Sequence, residues 1–368
     1  MPDDFEYRDA LLHASARGRG AQLNPGNRHE SLRLHVLGEH LDQVITEQGD
    51  DGQQVRTEVF ADRTKTIINH VASPDIGFNW SINPYRGCEH GCIYCYARPD
   101  HERLGFSCGL DFETKIVAKF DAPKLLRQEL AHPRWKGETI AMSGVTDCYQ
   151  PIEEKLRITR GCLQVMAECR QPVSIVTKSR LILRDLDLLT TLAADRAASV
   201  AVSITTLDPS LSRRMEPRAS SPAQRLKTIE TLAAAGIPVS VMTAPIIAGL
   251  NDREVPSILE AASRAGARSA GWVMLRLPHQ IKALFLDWLQ REFPDRATHV
   301  ESLIRQMRGG DLYDATWRTR QRGEGPMAEQ IARVFKIFSK RYGLDRPWPG
   351  LSSKSFRPPP LQGQMPLF

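Results

Sequence analysis

Short apolar runs rich in β-branched residues alternate with helical patterns through the middle of this chain. The runs are Thr139–Val145, Val173–Thr177, Ser199–Thr205, Pro238–Thr243 and Ala270–Leu277, and their starts lie 34, 26, 39 and 32 residues apart. That spacing is the length of a βα unit, and strands apolar along their whole length suit a parallel sheet covered by helices. The helix ahead of Pro238 has readable ends. Ser221 is placed to cap it with Pro222 in the first turn, Leu226, Ile229, Leu232 and Ala233 follow at helical spacing, and Gly236 stops it. A further helix is predicted over Val255–Arg264, ending at Gly266. No Gly-x-Gly-x-x-Gly follows a strand, so a dinucleotide-binding fold would lack its phosphate loop. Successive right-handed βα units without that loop predict an α/β barrel or partial barrel, with chemistry at the C-terminal strand ends.

The flanks are less regular. Residues 1–70 read as an N-terminal extension with loop signals at Arg17–Ala21 and Asn24–Asn27, and with apolar stretches near Leu34–Leu41 and Val55–Phe60 expected to pack on the main domain. The core is placed at residues 71–295 and a helical segment at 296–346. Ala283, Phe285, Leu286, Trp288 and Leu289 form one apolar set; Met327, Ile331, Val334, Phe335 and Phe338 form another. These helices are expected to close the open side of the barrel or to build a lid. From Pro347 to residue 368 runs a tail with three consecutive prolines, expected to be extended and loosely held.

Composition narrows the class. Hydrophobic residues are 41% and charged residues 25% of the 368, which excludes a disordered, collagen-like or coiled-coil chain. The net charge of +6 is uneven: residues 1–70 hold 8 Lys and Arg against 12 Asp and Glu, residues 296–368 hold 13 against 6. Any basic surface is therefore expected near the C-terminal end. The longest uncharged run, Leu232–Leu250, contains Gly236, Pro238 and Pro245, and reads as a helix end, a turn and a buried strand rather than a membrane span. Met1–Glu6 is acidic and no apolar signal segment follows, and the seven cysteines are an odd number. We therefore expect a soluble cytoplasmic protein whose cysteines serve a metal or redox centre rather than disulfides.

Three of the cysteines fall together. Cys88, Cys92 and Cys95 have the spacing Cys-x3-Cys-x2-Cys, and Gly87 and Gly91 allow the tight turns that bring three thiolates together. Thiolates select zinc, Cu(I) or iron–sulfur clusters. One reading is a structural zinc site completed by His90 or His101. A second is a [4Fe–4S] cluster with three protein ligands and one free iron. A third is a chance grouping of buried cysteines, which have no reason to share one loop.

The arrangement resembles the radical S-adenosylmethionine (SAM) superfamily. Its hallmark is this spacing in the loop after the first barrel strand, with an aromatic residue, here Tyr94, just before the third cysteine. The apolar Gly77–Ile82 stretch supplies the strand. The resemblance implies a partial (βα)6 barrel over roughly residues 75–280, a [4Fe–4S] cluster on Cys88, Cys92 and Cys95, and SAM as second cofactor. It implies that an electron from the cluster cleaves the sulfonium, and that the resulting 5′-deoxyadenosyl radical takes hydrogen from a substrate the sequence leaves open. An electron donor such as flavodoxin or ferredoxin is implied as partner.

Positions for SAM follow from the same resemblance. The second strand ends in Met142-Ser143-Gly144-Val145-Thr146-Asp147, where many members carry a Gly-Gly-Glu-like motif for the SAM amino group. The wording differs here, but Ser143, Gly144, Thr146 and Asp147 can accept hydrogen bonds from an ammonium; alternatively, Thr146 or Asp147 caps the next helix. Lys178, ending the third strand, pairs with the SAM carboxylate or is solvated. Ser203, on the fourth strand, meets SAM or a neighbouring strand carbonyl. Pro245 and Ile246, ending the fifth, pack on adenine or on the core. Arg213, Arg214 and Glu216 offer an arginine for a carboxylate, or a solvated pair.

Tyr96-Ala97-Arg98-Pro99 and Thr146-Asp147-x-Tyr149-Gln150-Pro151 are similar to the spore-photoproduct-lyase-related branch. In the lyase a cysteine at the second strand end returns hydrogen to the repaired thymine; Gly144 falls there, and Cys148, four residues on, is the nearest catalytic candidate. Cys108 shows no ligand spacing, while Cys162 and Cys169 fall seven apart on one helix face. Trp317–Arg322 mixes a stacking ring with three arginines, so nucleic acid is a candidate partner. The rival function is a non-catalytic, zinc- or cluster-stabilised nucleic-acid-binding protein.

Overall fold

Six parallel strands stand side by side in chain order: β1 (Trp80–Ile82), β2 (Ile140–Met142), β3 (Val173–Thr177), β4 (Ala198–Ser203), β5 (Val239–Ile246) and β6 (Ser269–Met274). They come from a computed structural model that describes residues 7–9, 16–29, 35–37, 55–347 and 350–360. A short antiparallel strand, Asn69–His70, flanks β1. Among the described residues β1 and β6 do not pair with each other, so the array is open, as a partial barrel requires. The crossovers carry α1 (Ile158–Cys169), α2 (Leu186–Ala194), α3 (Pro222–Ala234) and α4 (Val255–Arg264). The apolar runs became the strands, with ends shifted by up to three residues. Ser221 and Gln224 form a capping box at α3, and Gly236 leaves it with φ +79°.

Register sorts the strand residues into two unlike faces, because residues paired across parallel strands share a face. Ile82, Met142, Ile175, Val200 and Val239 are paired in succession and all lie in the main core. Helices α2, α3 and α4 pack against β4 and β5 there. On the other face Ser81, Ala141, Ser174 and Ser199 are paired in succession, and Ala201 leads through Ser240 to Ser269. The serines satisfy one another: Ser199 donates to Ser174 at 3.2 Å, and Ser240 and Ser269 lie 2.6 Å apart. The small residues of this face stand near the starts of the strands, and Val176 and Met242 join them nearer the strand ends.

The C-terminal segment packs as two separate groups of helices. α7 (Gly325–Arg341) packs along α4 and sets Phe335 5.7 Å from Trp272 of β6, while α5 (Ile281–Glu292) and α6 (Pro294–Gln306) share a second core with Cys92, Ile93 and Tyr94. Residues 350–360, the described part of the tail, are not loose. Phe356 packs into the main core against Gly137, and Arg357 N–H donates to Cys169 O at 2.9 Å, because a large ring at the barrel base has apolar surface to bury. Glu58–Ala61 pairs with Lys115–Ala118 through its backbone, yet Val59 and Phe60 remain exposed, so this stretch is pinned by hydrogen bonds rather than by burial. Leu34–Leu41 lies largely outside the described residues. None of the described helices is long and apolar enough to cross a membrane.

Candidate active site

The three-cysteine loop leaves the short strand Tyr85–Arg86, which pairs with Lys115–Ala118, and ends at a 3₁₀ turn over Arg98–Leu104. Gly87 and Gly91 take left-handed conformations, φ +77° and +67°, which reverse the chain on either side of Cys88. Cys88 and Cys92 are buried and Cys95 half-buried. Burial raises all three thiols, Cys92 to about 12 and Cys88 well above its usual value, with Lys178 opposing the rise at Cys92 and Arg98 at Cys95. Buried thiols of this kind become thiolates when a metal centre supplies the positive charge. Arg98 fixes the loop: fully buried, it donates from Nε and Nη2 to Cys92 O at 3.0 and 2.9 Å and pairs with Glu113 at 2.5 Å.

The N-terminal extension seals this loop. Glu113 also accepts from Gly20 N and Ala21 N at 2.9 and 2.8 Å, and a Cβ on Gly20 would stand 1.9 Å from Gly91 O. The Arg17–Ala21 segment, read as a loop, is therefore clamped backbone to backbone on the loop that carries the cysteines.

The donor set fits a cluster better than a zinc ion. Among the described residues no three His, Cys, Asp or Glu side chains gather tightly enough to hold one ion. His90 Nδ1 is 3.3 Å from Asp147, and His101 packs against Phe106 and Phe112 with both nitrogens unpartnered and its pKa lowered to about 4 by burial. Neither histidine completes a tetrahedron with the thiols.

Lys178 follows β3, with its ammonium 5.8 Å from the Tyr94 ring centre. Burial would lower its pKa, but Cys92 and Glu216 hold it above the usual lysine value. Tyr94 donates to Glu216, which also accepts from Thr205 at 2.7 Å and pairs with Arg225. Burial disfavours the Glu216 carboxylate, but Arg225 and Lys178 more than compensate and hold it ionised. Glu216 is thus no member of a solvated pair, whereas Arg213 and Arg214 are exposed, and Arg214 lies over Phe293.

After β2, several expected SAM contacts are already engaged. The Asp147 carboxylate accepts from Thr177 at 2.9 Å, from Lys178 N at 2.8 Å and from Tyr149 N at 2.9 Å. Burial pushes its pKa up, but His90 and these donors carry it down to about 2. Asp147 therefore ties the cysteine loop to the ends of β2 and β3. Thr146 donates to Tyr85 O at 3.1 Å, and Ser203 to Ala244 O at 3.3 Å on the next strand. Ser143, at φ +76°, accepts from Cys148 N at 2.9 Å, and its hydroxyl also faces the Cys148 thiol. Beside it the space is open: a Cβ on Gly144 would meet only Ser81, at 3.8 Å. Pro245 and Ile246 are buried at the end of β5, where the ladder with β6 breaks. Cys148 sits in the main apolar core, with burial, Asp147, Glu153 and Asp185 dominating its surroundings.

Two features of the mouth carried no local signal in the sequence. Tyr96, half exposed, donates to Gly144 O, and Arg276, two residues past β6, lies 5.0 Å over its ring. The Trp317–Arg322 run folds back beside them. Arg320 stacks on exposed Trp317 and pairs with Asp75, and Arg322 lies over Trp272, so these two arginines serve the fold and the ring is the free surface.

Comparison with known proteins agrees with this geometry. Residues 82–262 match the family model of the radical SAM superfamily. An uncharacterised protein of Mycobacterium tuberculosis is 36% identical over 245 residues, 66% of this chain and 72% of that one. One from Methanocaldococcus jannaschii is 32% identical over 199 residues, 54% of this chain and 71% of the other. Among solved structures, a spore photoproduct lyase mutant with bound S-adenosylmethionine and a dinucleoside spore photoproduct superposes with TM-score 0.53 at 14% identity, covering 83% of this chain and 92% of that one. At that identity the likeness is one of fold. With the cysteine loop at the mouth of an open parallel array and the family model spanning β1 to α4, this chain belongs to the radical SAM superfamily and is an enzyme of that kind.

Proposed function

We propose that the protein holds a [4Fe–4S] cluster on Cys88, Cys92 and Cys95 and cleaves SAM reductively to start hydrogen abstraction from a substrate seated in the barrel. The observation that carries this reading is the gathering of buried Cys88 and Cys92 and half-buried Cys95 on one loop, with Lys178 at the end of β3 acting on Cys92 and Cys95. When bound, the cluster and SAM supply a one-electron reduction and a carbon radical; the chain does the rest. Lys178 neutralises the SAM carboxylate. Ser143 and Gly144 stand at the end of β2, where the amino-acid end of SAM would bind beside open space. Pro245 and Ile246 offer apolar surface to the adenine. Asp147, Thr146 and Ser203 hold the strand ends in register, a positioning role, since their polar atoms are spent internally. Cys148 is set aside as a hydrogen donor because its thiol belongs to the core. A small electron-transfer protein such as flavodoxin or ferredoxin serves as reductant.

The test is anaerobic reconstitution with iron and sulfide, followed by optical and EPR spectra with and without SAM. We expect iron–sulfur absorption, a reduced-cluster signal that changes on SAM addition, and 5′-deoxyadenosine as product. The Cys92→Ala variant is expected to lose both cluster and product. A colourless wild-type protein holding one zinc after this treatment would favour the non-catalytic alternative, and undiminished 5′-deoxyadenosine from Cys92→Ala would remove the cysteine from the site.

A further inference from the structure

Arg276 is a fixed cation without a counter-ion. It stands two residues past β6, half-buried, and its Nε is fully buried with no hydrogen-bond partner. Among the described residues it makes no ion pair and donates no side-chain hydrogen bond, although the acid that acts on it, Asp75, is near. Asp75 is spent elsewhere: one oxygen accepts from Arg318 N at 2.7 Å, the other from Arg320 Nε at 2.5 Å. The neighbouring cations bring no relief. Arg308 donates to Leu275 O at 2.8 Å and Thr319 O at 2.6 Å, and Arg322 to Trp272 O at 3.0 Å, carbonyls rather than carboxylates. The buried Nε is thus desolvated without a partner, at a cost, while the terminal nitrogens are not buried and stay available to a ligand from outside the chain.

The guanidinium is also aimed. Its carbon lies 5.0 Å from the centre of the Tyr96 ring, and Tyr96 is anchored through its hydroxyl to Gly144 O. A cation held over an aromatic face keeps its N–H edge for a second partner. Lys178 lies 5.8 Å from the Tyr94 ring centre and Arg276 5.0 Å from the Tyr96 ring centre, so each cation faces an aromatic ring of the cysteine loop. With Lys178 assigned to SAM, Arg276 is left over.

We infer that Arg276 is a substrate-recognition residue, and that the substrate carries an oxyanion, a phosphate or a carboxylate, which the guanidinium receives in a forked pair at the barrel mouth. Bidentate oxyanion recognition is the arrangement for which a planar guanidinium is suited. The inference rests on the reading of this mouth as the reaction site.

The experiment follows Arg276 in the SAM-loaded, reconstituted protein by phenylglyoxal modification and peptide mass spectrometry. Inorganic pyrophosphate and malonate are the probes, at ionic strength matched with chloride, and exposed Arg213 is the internal control. We expect one probe to slow modification of Arg276 at least fivefold, saturably, with Arg213 unchanged. Pyrophosphate protection points to a phosphorylated substrate, malonate protection to a carboxylate. In Arg276→Gln the probe's calorimetric affinity is expected to fall at least tenfold while SAM affinity stays within twofold. Failure of both probes to protect overturns the inference. Protection by SAM alone overturns it too, since Arg276 would then hold the cofactor's carboxylate. If the protein binds neither iron nor SAM, the reading of the mouth has failed separately, and the protection assay without SAM still decides whether Arg276 receives an oxyanion. Should Arg276→Gln melt early, the assay on the native chain decides alone.

Discussion

Tyr94 donates its phenolic hydrogen bond to Glu216, a carboxylate 122 residues further along the chain and buried against Arg225. The residue before the third cysteine is thereby locked to the far side of the mouth. Breaking a buried ion pair from one side leaves the other charge stranded, at a cost of about 3–5 kcal/mol. Glu216→Gln is therefore expected to lose stability on that scale in denaturant melts. The double variant Glu216→Gln with Arg225→Met is expected to be more stable than Glu216→Gln alone, because the stranded guanidinium is gone. A double variant less stable than the single one would contradict this account of the pair.

Asp147 makes a pH-dependent contribution whose sign is set by its depressed pKa. Its ordinary value of 3.8 falls to about 2 in the folded chain, so its stabilisation is present above the unfolded pKa and is lost as pH drops through the folded one. A shift of that size corresponds to roughly 2 kcal/mol. Asp147→Asn should be less stable than wild type by about that much at pH 6, with the gap closing between pH 4 and pH 2. Thermal melts of both proteins across that range measure it; a gap independent of pH would mean that shape rather than charge ties the loop.

Lys178→Ala should weaken SAM binding at least tenfold while iron content stays at the wild-type level. The ammonium faces Cys92 and Tyr94 without ligating either, so its loss removes a charge and leaves the thiol ligands in place. Calorimetry and iron analysis on the same preparation separate the two effects, and equal SAM affinity would take Lys178 out of the site.

Gly20→Ala tests the seal over the cysteine loop. The added methyl would meet Gly91 O at 1.9 Å, backbone against backbone, so the segment must lift. Overpacking of this kind costs about 1–3 kcal/mol. Trypsin is expected to cut at Arg17 or Arg19 several-fold faster in this variant. An unchanged cleavage rate would show that the segment accommodates the methyl by sliding.

Much of the fold was written in local pattern. The apolar runs located the strands, the Ser221–Pro222 and Gly236 signals bounded α3, and the spacing of Cys88, Cys92 and Cys95 marked the site. Each depends on neighbours within a few residues, where periodicity and backbone freedom act. The docking of Phe356, within residues 350–360, had no local signal because the surface it packs on is built from segments more than a hundred residues away.

What each polar atom does was decided only by the tertiary structure. Ser143, Thr146, Asp147 and Ser203 read alike as hydrogen-bonding groups at strand ends. Register and loop path gave each of them an internal partner. The same holds for the cations. Sequence places Lys178 at a strand end, but only packing pairs Arg225 with Glu216 and leaves the Arg276 Nε with no partner. Hydrophobic pattern is a property of consecutive residues, so the chain alone determined the layers. Charge compensation and hydrogen-bond satisfaction are properties of residues brought together from distant positions, so the folded structure decided which groups are free to meet a ligand.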